Sequence, residues 1–339
     1  MFRHSVLTLA CVSLVASGAA AQTTTTTIKL ATIAPSVSAY NKALTDLGAE
    51  WEAKTSGRVK LIVYANGSQG SEETTLRMMR PAVDQMQGNL LTLPGLSSID
   101  DAFSVFGVPF MFASDEEANY VLDKLSPLLE KKLEAKGFKV LAWGSAGWVQ
   151  LFSKNPITSL ADLKVSKLFT SQGDDRMVQW YKQNGFNPVS LDSKDIKAQL
   201  TLSNGMINAA PMPPYPAMLL QVFRDAKYML DVNVAPLYGG LLVTTQTWNK
   251  ISAADKAVMV ASAKIIEKRL LGDAVKLDAS SIANMKMRGL TVTTPDAKAL
   301  ATFRAEADRL VTTIRGSLVP ADVYDLAVRE RDAYRKTKK

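Results

Sequence analysis

Val59-Lys60-Leu61-Ile62-Val63-Tyr64-Ala65-Asn66-Gly67-Ser68-Gln69-Gly70-Ser71-Glu72-Glu73 holds a strand, a turn and a helix start in one short stretch. Val59 to Tyr64 is rich in β-branched and aromatic residues, so it reads as a strand. Asn66-Gly67 supplies the backbone freedom of a tight turn. Ser71 is an N-cap, and Glu72-Glu73 place negative charge against the positive end of the helix that follows. Upstream, Ser38 to Lys54 has helical spacing, with Ala39, Leu44, Leu47 and Trp51 on one face and Ser56-Gly57 closing it. Ile28 to Ile33 is the strand before that, and Asn89 to Leu93 is the strand after the second helix. Strand, helix, strand, helix, strand is the order of an α/β lobe with a largely parallel sheet.

Pro81 falls within the second helical pattern and should kink or interrupt it. Asp115 to Lys136 is a long amphipathic helix closed by Gly137, followed by strands at Lys139–Trp143 and Val149–Ser153. A second lobe repeats the alternation. A helical turn at Leu160–Lys164 runs into a strand at Leu168–Ser171. Then come a helix at Asp174–Gln183, a strand at Pro188–Leu191, a helix at Ser193–Leu202 and a strand at Met206–Ala209. Pro211-Met212-Pro213-Pro214-Tyr215-Pro216 reads as a rigid loop. Leu241–Thr245 is a strand returning to the first lobe. Ala253 to about Arg288 is helical, bent near Gly272, and long enough to run along both lobes. Asp296–Arg315 and Ala321–Lys336 are further amphipathic helices. The boundaries expected are residues 22–145 with 236–265 for lobe one, 146–235 with part of 266–300 for lobe two, and helices over 301–339.

The chain has 339 residues, 47% hydrophobic and 21% charged, enough for two lobes with real cores. Met1-Phe2-Arg3-His4 is a basic head, Ser5 to Gly18 is mostly apolar, and Ala19-Ala20-Ala21 offers small residues to a peptidase. That is the pattern of a secretory signal peptide cleaved after about Ala21. About 14 apolar residues are too few to span a bilayer comfortably. Cleavage removes Cys11 and His4, the only cysteine and the only histidine. The exported chain then has no disulfide, no Cys nucleophile, no His general base and none of the usual zinc ligand sets. Its formal charge falls from +8 to +7 with the loss of Arg3, and no clustered basic stripe with interleaved aromatics suggests nucleic-acid binding. The acid pairs Glu72-Glu73, Asp100-Asp101 and Asp174-Asp175 sit at helix starts, where dipole stabilisation accounts for them better than acid–base chemistry. No catalytic residue, metal site or cofactor is assigned, and the chain is not read as an enzyme.

Several segments resemble, in order and spacing, the solute-binding proteins of TRAP transporters, of the dicarboxylate-binding DctP-like type. They are Ile28-Lys29-Leu30-Ala31, Gly57-Arg58-Val59-Lys60-Leu61 with Asn66-Gly67-Ser68-Gln69-Gly70-Ser71-Glu72, and Phe106-Gly107-Val108-Pro109-Phe110-Met111-Phe112. Ser153-Lys154-Asn155-Pro156-Ile157, Leu160-Ala161-Asp162-Leu163-Lys164 and Gly240-Leu241-Leu242-Val243-Thr244 to Trp248 continue the series. The resemblance covers roughly Ile28 to Val319. It implies a two-lobed α/β periplasmic solute-binding fold with a ligand cleft between the lobes. It also implies closure of the lobes around a small solute, and delivery to the subunits of a TRAP-type membrane permease. A monomer is expected.

The cleft positions depart from the family. Where the family's strand carries an arginine that grips a carboxylate, this chain has Phe169. The second arginine position falls at Val149, and the polar segment after the lobe-two helices is Ala210-Pro211-Met212-Pro213. Ile33, and a position near Pro94, change in the same direction. A carboxylate closed into such a cleft would be an unpaired buried charge, costing several kcal/mol. The ligand expected is therefore small and largely apolar or uncharged. Trp143, Trp148, Val149, Phe169, Met212 and Tyr215 are its expected walls, with Tyr40, Ser145, Gln150 and Ser171 as hydrogen-bonding groups. The competing expectation is an accessory or sensor protein of the envelope that kept the fold but no longer serves carboxylate import.

Overall fold

The computed structural model describes residues 25–338; the signal peptide read over residues 1–21 lies outside them. Two sheets organise the chain. The first is built from β1 (Thr26–Thr32), β2 (Val59–Tyr64), β3 (Gly88–Thr92), β4 (Phe138–Trp148) and a late strand, in the order β2-β1-β3-late strand-β4. β1 runs parallel to β2 and β3, while the late strand is antiparallel to both of its neighbours. α1 (Ala39–Lys54), α2 (Glu72–Met78), α3 (Leu93–Ile99) and α4 (Asp115–Ala135) cover this sheet.

The second sheet uses β5 (Gln150–Ser153), β6 (Lys167–Ser171), β7 (Asn187–Leu191), β8 (Ala209–Met212), β9 (Tyr228–Leu230) and a final short strand, in the order final strand-β9-β5-β8-β6-β7. Its helices are α5 (Leu160–Val165), α6 (Asp175–Gln183), α7 (Ile196–Thr201) and α8 (Pro214–Leu219). The late strand of the first sheet is β10 (Pro236–Thr244). It is followed by α9 (Thr245–Lys250), α10 (Ala253–Gly272), α11 (Ala274–Met287) and β11 (Thr291–Thr293), the final strand of the second sheet. α12 (Ala297–Ile314) then packs on α5 of lobe two, and α13 (Ala321–Thr337) returns to α4 of lobe one. No helix among the described residues is long and apolar enough to cross a membrane.

The strands alternate sides as a pleat requires. In lobe two, Leu151, Leu168 and Ala209 point into the large core shared with α6 and α12. Phe152, Phe169, Ala210 and Met212 point the other way, into a second core with Ile196 of α7 and Ala217 of α8. Two strand crossings join the lobes. At their centre Val149 donates its N–H to Ala235 O at 2.9 Å and accepts from Val234 N–H at 3.0 Å. The third link is the long helical passage, which breaks between Gly272 and Ala274. α10 packs on β4 and α1, and α11 packs on α8 and β4.

Three local expectations are corrected. α2 ends at Met78, so Pro81 follows the helix and does not kink it. The strand expected at Met206–Ala209 is displaced to Ala209–Met212. β8 pairs with β6 only at Ala209, while its pairing with β5 runs from Ala209 through Pro211 to Met212 and sets the strand's extent. The proline run is not a loop, because Pro214 opens α8, where its missing N–H is no loss.

Arg335 of α13 pairs with Glu117 of α4, a side chain only 2% exposed. Glu117 also accepts the N–H of Ala113. Removing the guanidinium would strand a buried carboxylate. Because Arg335 itself is partly exposed, Arg335→Met should cost at the low end for such pairs, about 2 kcal/mol. A shift in the urea midpoint would measure it, and an unchanged midpoint would show the pair to be neutral.

Candidate functional site

The C-terminal ends of β1 and β3 face lobe two. There Thr32, Gly67, Gln69, Gly70, Glu72, Thr75 and Asn89 surround a crevice with no room for a water molecule. Glu72 is buried, and its carboxylate accepts from Thr92 N–H at 2.6 Å and Thr92 Oγ1 at 2.7 Å. It thereby caps α3, whose own N-cap Thr92 makes no side-chain cap. Burial pushes the Glu72 carboxyl up, against the pull of these hydrogen bonds.

The lobes touch across the cleft. Gly173 lies against Glu73, and Arg176 of α6 pairs with Asp101 of lobe one. The Tyr215 hydroxyl accepts the N–H of Ala39 at 2.9 Å, and its ring meets Tyr40 edge-on with centroids 5.7 Å apart. Outside this contact an open groove of about 990 Å³ runs between the lobes, with Arg77, Arg80 and Lys136 on one wall and Asp175, Asp192 and Asp195 on the other.

The ten residues singled out in the sequence do not form one ring. Phe169 and Met212 come together on one face of the lobe-two sheet, both buried. Tyr40 and Tyr215 form the lobe-boundary pair. Trp148 is buried beside them. Its indole N–H donates to Asp115 at 3.0 Å, and its backbone N–H donates to Asp278 at 3.1 Å. Val149 is half-buried at the strand crossing. Ser171 ends β6 beside Leu191 of β7. Gln150 is buried, its amide donating to Asn233 at 3.0 Å. Trp143 packs into the lobe-one core against Phe103, with centroids 5.9 Å apart. Ser145 accepts the N–H of Gly147 at 3.2 Å within its own strand.

The charges around the cleft are lopsided. Among the described residues no lysine or arginine is buried, whereas Glu72, Glu117, Asp255 and Asp278 are. Arg335 and Arg58 neutralise Glu117 and Asp255. Glu72 and Asp278 are held by hydrogen-bond donors instead. Asp278 accepts backbone N–H groups from Trp148 and Tyr215. Burial raises its carboxyl to about 7, helped by the charge of Asp115 and opposed by those two donors. Burial also raises the Tyr40 phenol, and the charge of Asp278 adds to it. The sequence reading missed Asp278, Asp115 and the cap made by Glu72. Asp115 and Glu72 carry only the signal of helix-start acids, and Asp278 sits mid-helix with no local signal. Among the described residues no group of three or more His, Cys, Asp or Glu side chains could hold a metal ion.

A family model described as bacterial extracellular solute-binding protein, family 7 (DctP) matches residues 30–316. An uncharacterised protein of Haemophilus influenzae is 26% identical over 235 residues, 67% of this chain and 68% of that one. Two solved structures share the fold. One is a TRAP periplasmic solute-binding protein from Haemophilus influenzae with bound L-gulonate, with TM-score 0.79 and 21% identity over 91% of this chain and 99% of that one. The other is a TRAP periplasmic solute-binding protein from Desulfovibrio salexigens with bound orotic acid, with TM-score 0.82 and 15% identity over 92% of this chain and 99% of that one. The two-lobed α/β fold, the cleft at the ends of the strands and a family match over most of the sequence lead to one conclusion: the chain belongs to the DctP family of bacterial extracellular solute-binding proteins, the non-enzymatic solute receptors of TRAP transporters.

Proposed function

We propose that this chain is a periplasmic receptor that captures a small, largely apolar or uncharged solute and hands it to the membrane permease of a TRAP transporter. The observation that carries the reading is the shared face of Phe169 and Met212, the positions where the resemblance places an arginine and a polar anchor. The absence of buried lysine and arginine among the described residues supports it. An acid ligand held against that face would have no cation beside it, a cost of several kcal/mol. An apolar ligand hiding about 200 Å² would gain about 5 kcal/mol from that burial alone. The acids bound by the two related structures belong to proteins only 15–21% identical to this one.

A thermal-shift and calorimetric panel tests the ligand class. Neutral aromatic and aliphatic compounds should raise the melting temperature, while succinate, L-gulonate and orotate should not. Micromolar binding of any of the three acids would overturn the reading.

A further inference from the structure

We infer that closing the two lobes buries the Asp278 carboxyl and takes up a proton there, so that Asp278 acts as a positioning residue that makes closure pH-dependent. This concerns the hinge and not the ligand class, so its failure would leave the proposed ligand untouched.

Asp278 stands on α11 where both lobes meet. One carboxylate oxygen accepts the N–H of Trp148, at the end of β4 beside the first strand crossing. The other accepts the N–H of Tyr215 in α8 of lobe two, at 3.0 Å. Gly147 is pressed against the same carboxylate, leaving no room for a side chain. Tyr215 in turn holds lobe one through the N–H of Ala39 and stacks edge-on against Tyr40. The cover over Asp278 is thus made partly by each lobe, and parting Tyr215 from Ala39 and Tyr40 admits water. The groups facing it are Tyr40 from α1, Asp115 from α4 by way of the Trp148 indole, and Tyr215 from α8. None of them is a cation. The Tyr40 hydroxyl is itself buried without a hydrogen-bond partner, so nothing on that side neutralises an ionised Asp278.

Closure and protonation of Asp278 are linked. In the closed arrangement the carboxyl keeps its proton up to about pH 7. Once hydrated it releases the proton near the ordinary aspartate value of about 4. The closed form therefore holds more protons between those limits. Its advantage is complete below about pH 4 and is lost as pH rises through about 7. The closed-to-open ratio should grow by up to about tenfold for each unit that pH falls below 7.

Cysteine is absent from residues 25–338, so two labels suffice: Lys131→Cys on α4 and Lys182→Cys on α6, both exposed. Interlobe distances are read by double electron–electron resonance between pH 5.5 and 8.5 without added ligand. The expected result is a short distance at low pH, with a longer population that grows as pH rises towards 7 and levels off above it. Asp278→Asn, which cannot titrate and keeps only one of the two acceptors for Trp148 N–H and Tyr215 N–H, should show the same distance distribution at every pH. Asp115→Asn, which keeps the acceptor for the Trp148 indole but removes the charge, should move the transition to a lower pH midpoint. If Asp278→Asn does not fold, the Asp115→Asn shift decides. A distance that ignores pH in the parent protein would overturn the inference, as would an identical pH response in Asp278→Asn or an unmoved midpoint in Asp115→Asn.

Discussion

Gly147→Ala should be among the most damaging single substitutions in the chain, costing about 3 kcal/mol or more. Gly147 sits at φ +104°, a conformation that residues with a Cβ rarely adopt. Strain of that kind costs about 1 kcal/mol or more by itself. A Cβ there would also collide with the Asp278 carboxylate, whose Cγ would lie only 2.7 Å away. Asp278 cannot retreat without releasing the N–H groups of Trp148 and Tyr215. Overpacking adds a further 1–3 kcal/mol. Gly185 is the control: it also has positive φ, at +80°, but an added Cβ meets nothing within 4 Å. Gly185→Ala should cost only the backbone strain, about 1 kcal/mol. Urea denaturation of both variants measures the difference. Equal losses would show that the Asp278 contact at the hinge is not tight.

Phe169→Arg should destabilise the protein by about 3 kcal/mol and alter what it binds. The guanidinium would enter an apolar face shared with Phe152, Ile196, Ala210 and Met212. A loss of that size lowers the melting temperature by roughly 5 °C or more in a chain this long. The same substitution restores the cation that the resemblance places at this position. Millimolar orotate or L-gulonate should therefore return part of the lost stability to Phe169→Arg and do nothing for the parent. Binding of neutral ligands should weaken. If the variant melts normally and its neutral-ligand affinity is unchanged, residue 169 lies outside the binding face.

Most of the architecture was legible because its signals are local. Ser38, Ser71, Asp174 and Asp296 all cap helices as their sequence contexts suggest. The break at Gly272 also falls inside the long helical passage, as expected. What escaped was decided at a distance. α3 has no cap of its own and is closed by Glu72, twenty residues upstream. β9 and β11 are three-residue strands whose existence rests on pairing with each other and, for β9, with β5. Trp143 was expected in the wall of the cleft, and it packs instead against Phe103 in the lobe-one core, a placement set by a residue forty positions away. Phe169 as the position where the resemblance places an arginine was an expectation from the sequence, and that Phe169 and Met212 share a face follows only from the register of β5, β6 and β8. Asp278 was invisible because its meaning lies in two backbone groups 130 and 63 residues away.

Native mass spectrometry of the protein purified from the periplasm without denaturation bears most directly on the ligand. The expected result is a bound species whose mass and fragmentation match a small uncharged, largely apolar molecule, released when the lobes are opened by mild denaturant. A bound mono- or dicarboxylate, such as a sugar acid, would contradict the reading of the cleft built on Phe169 and Met212.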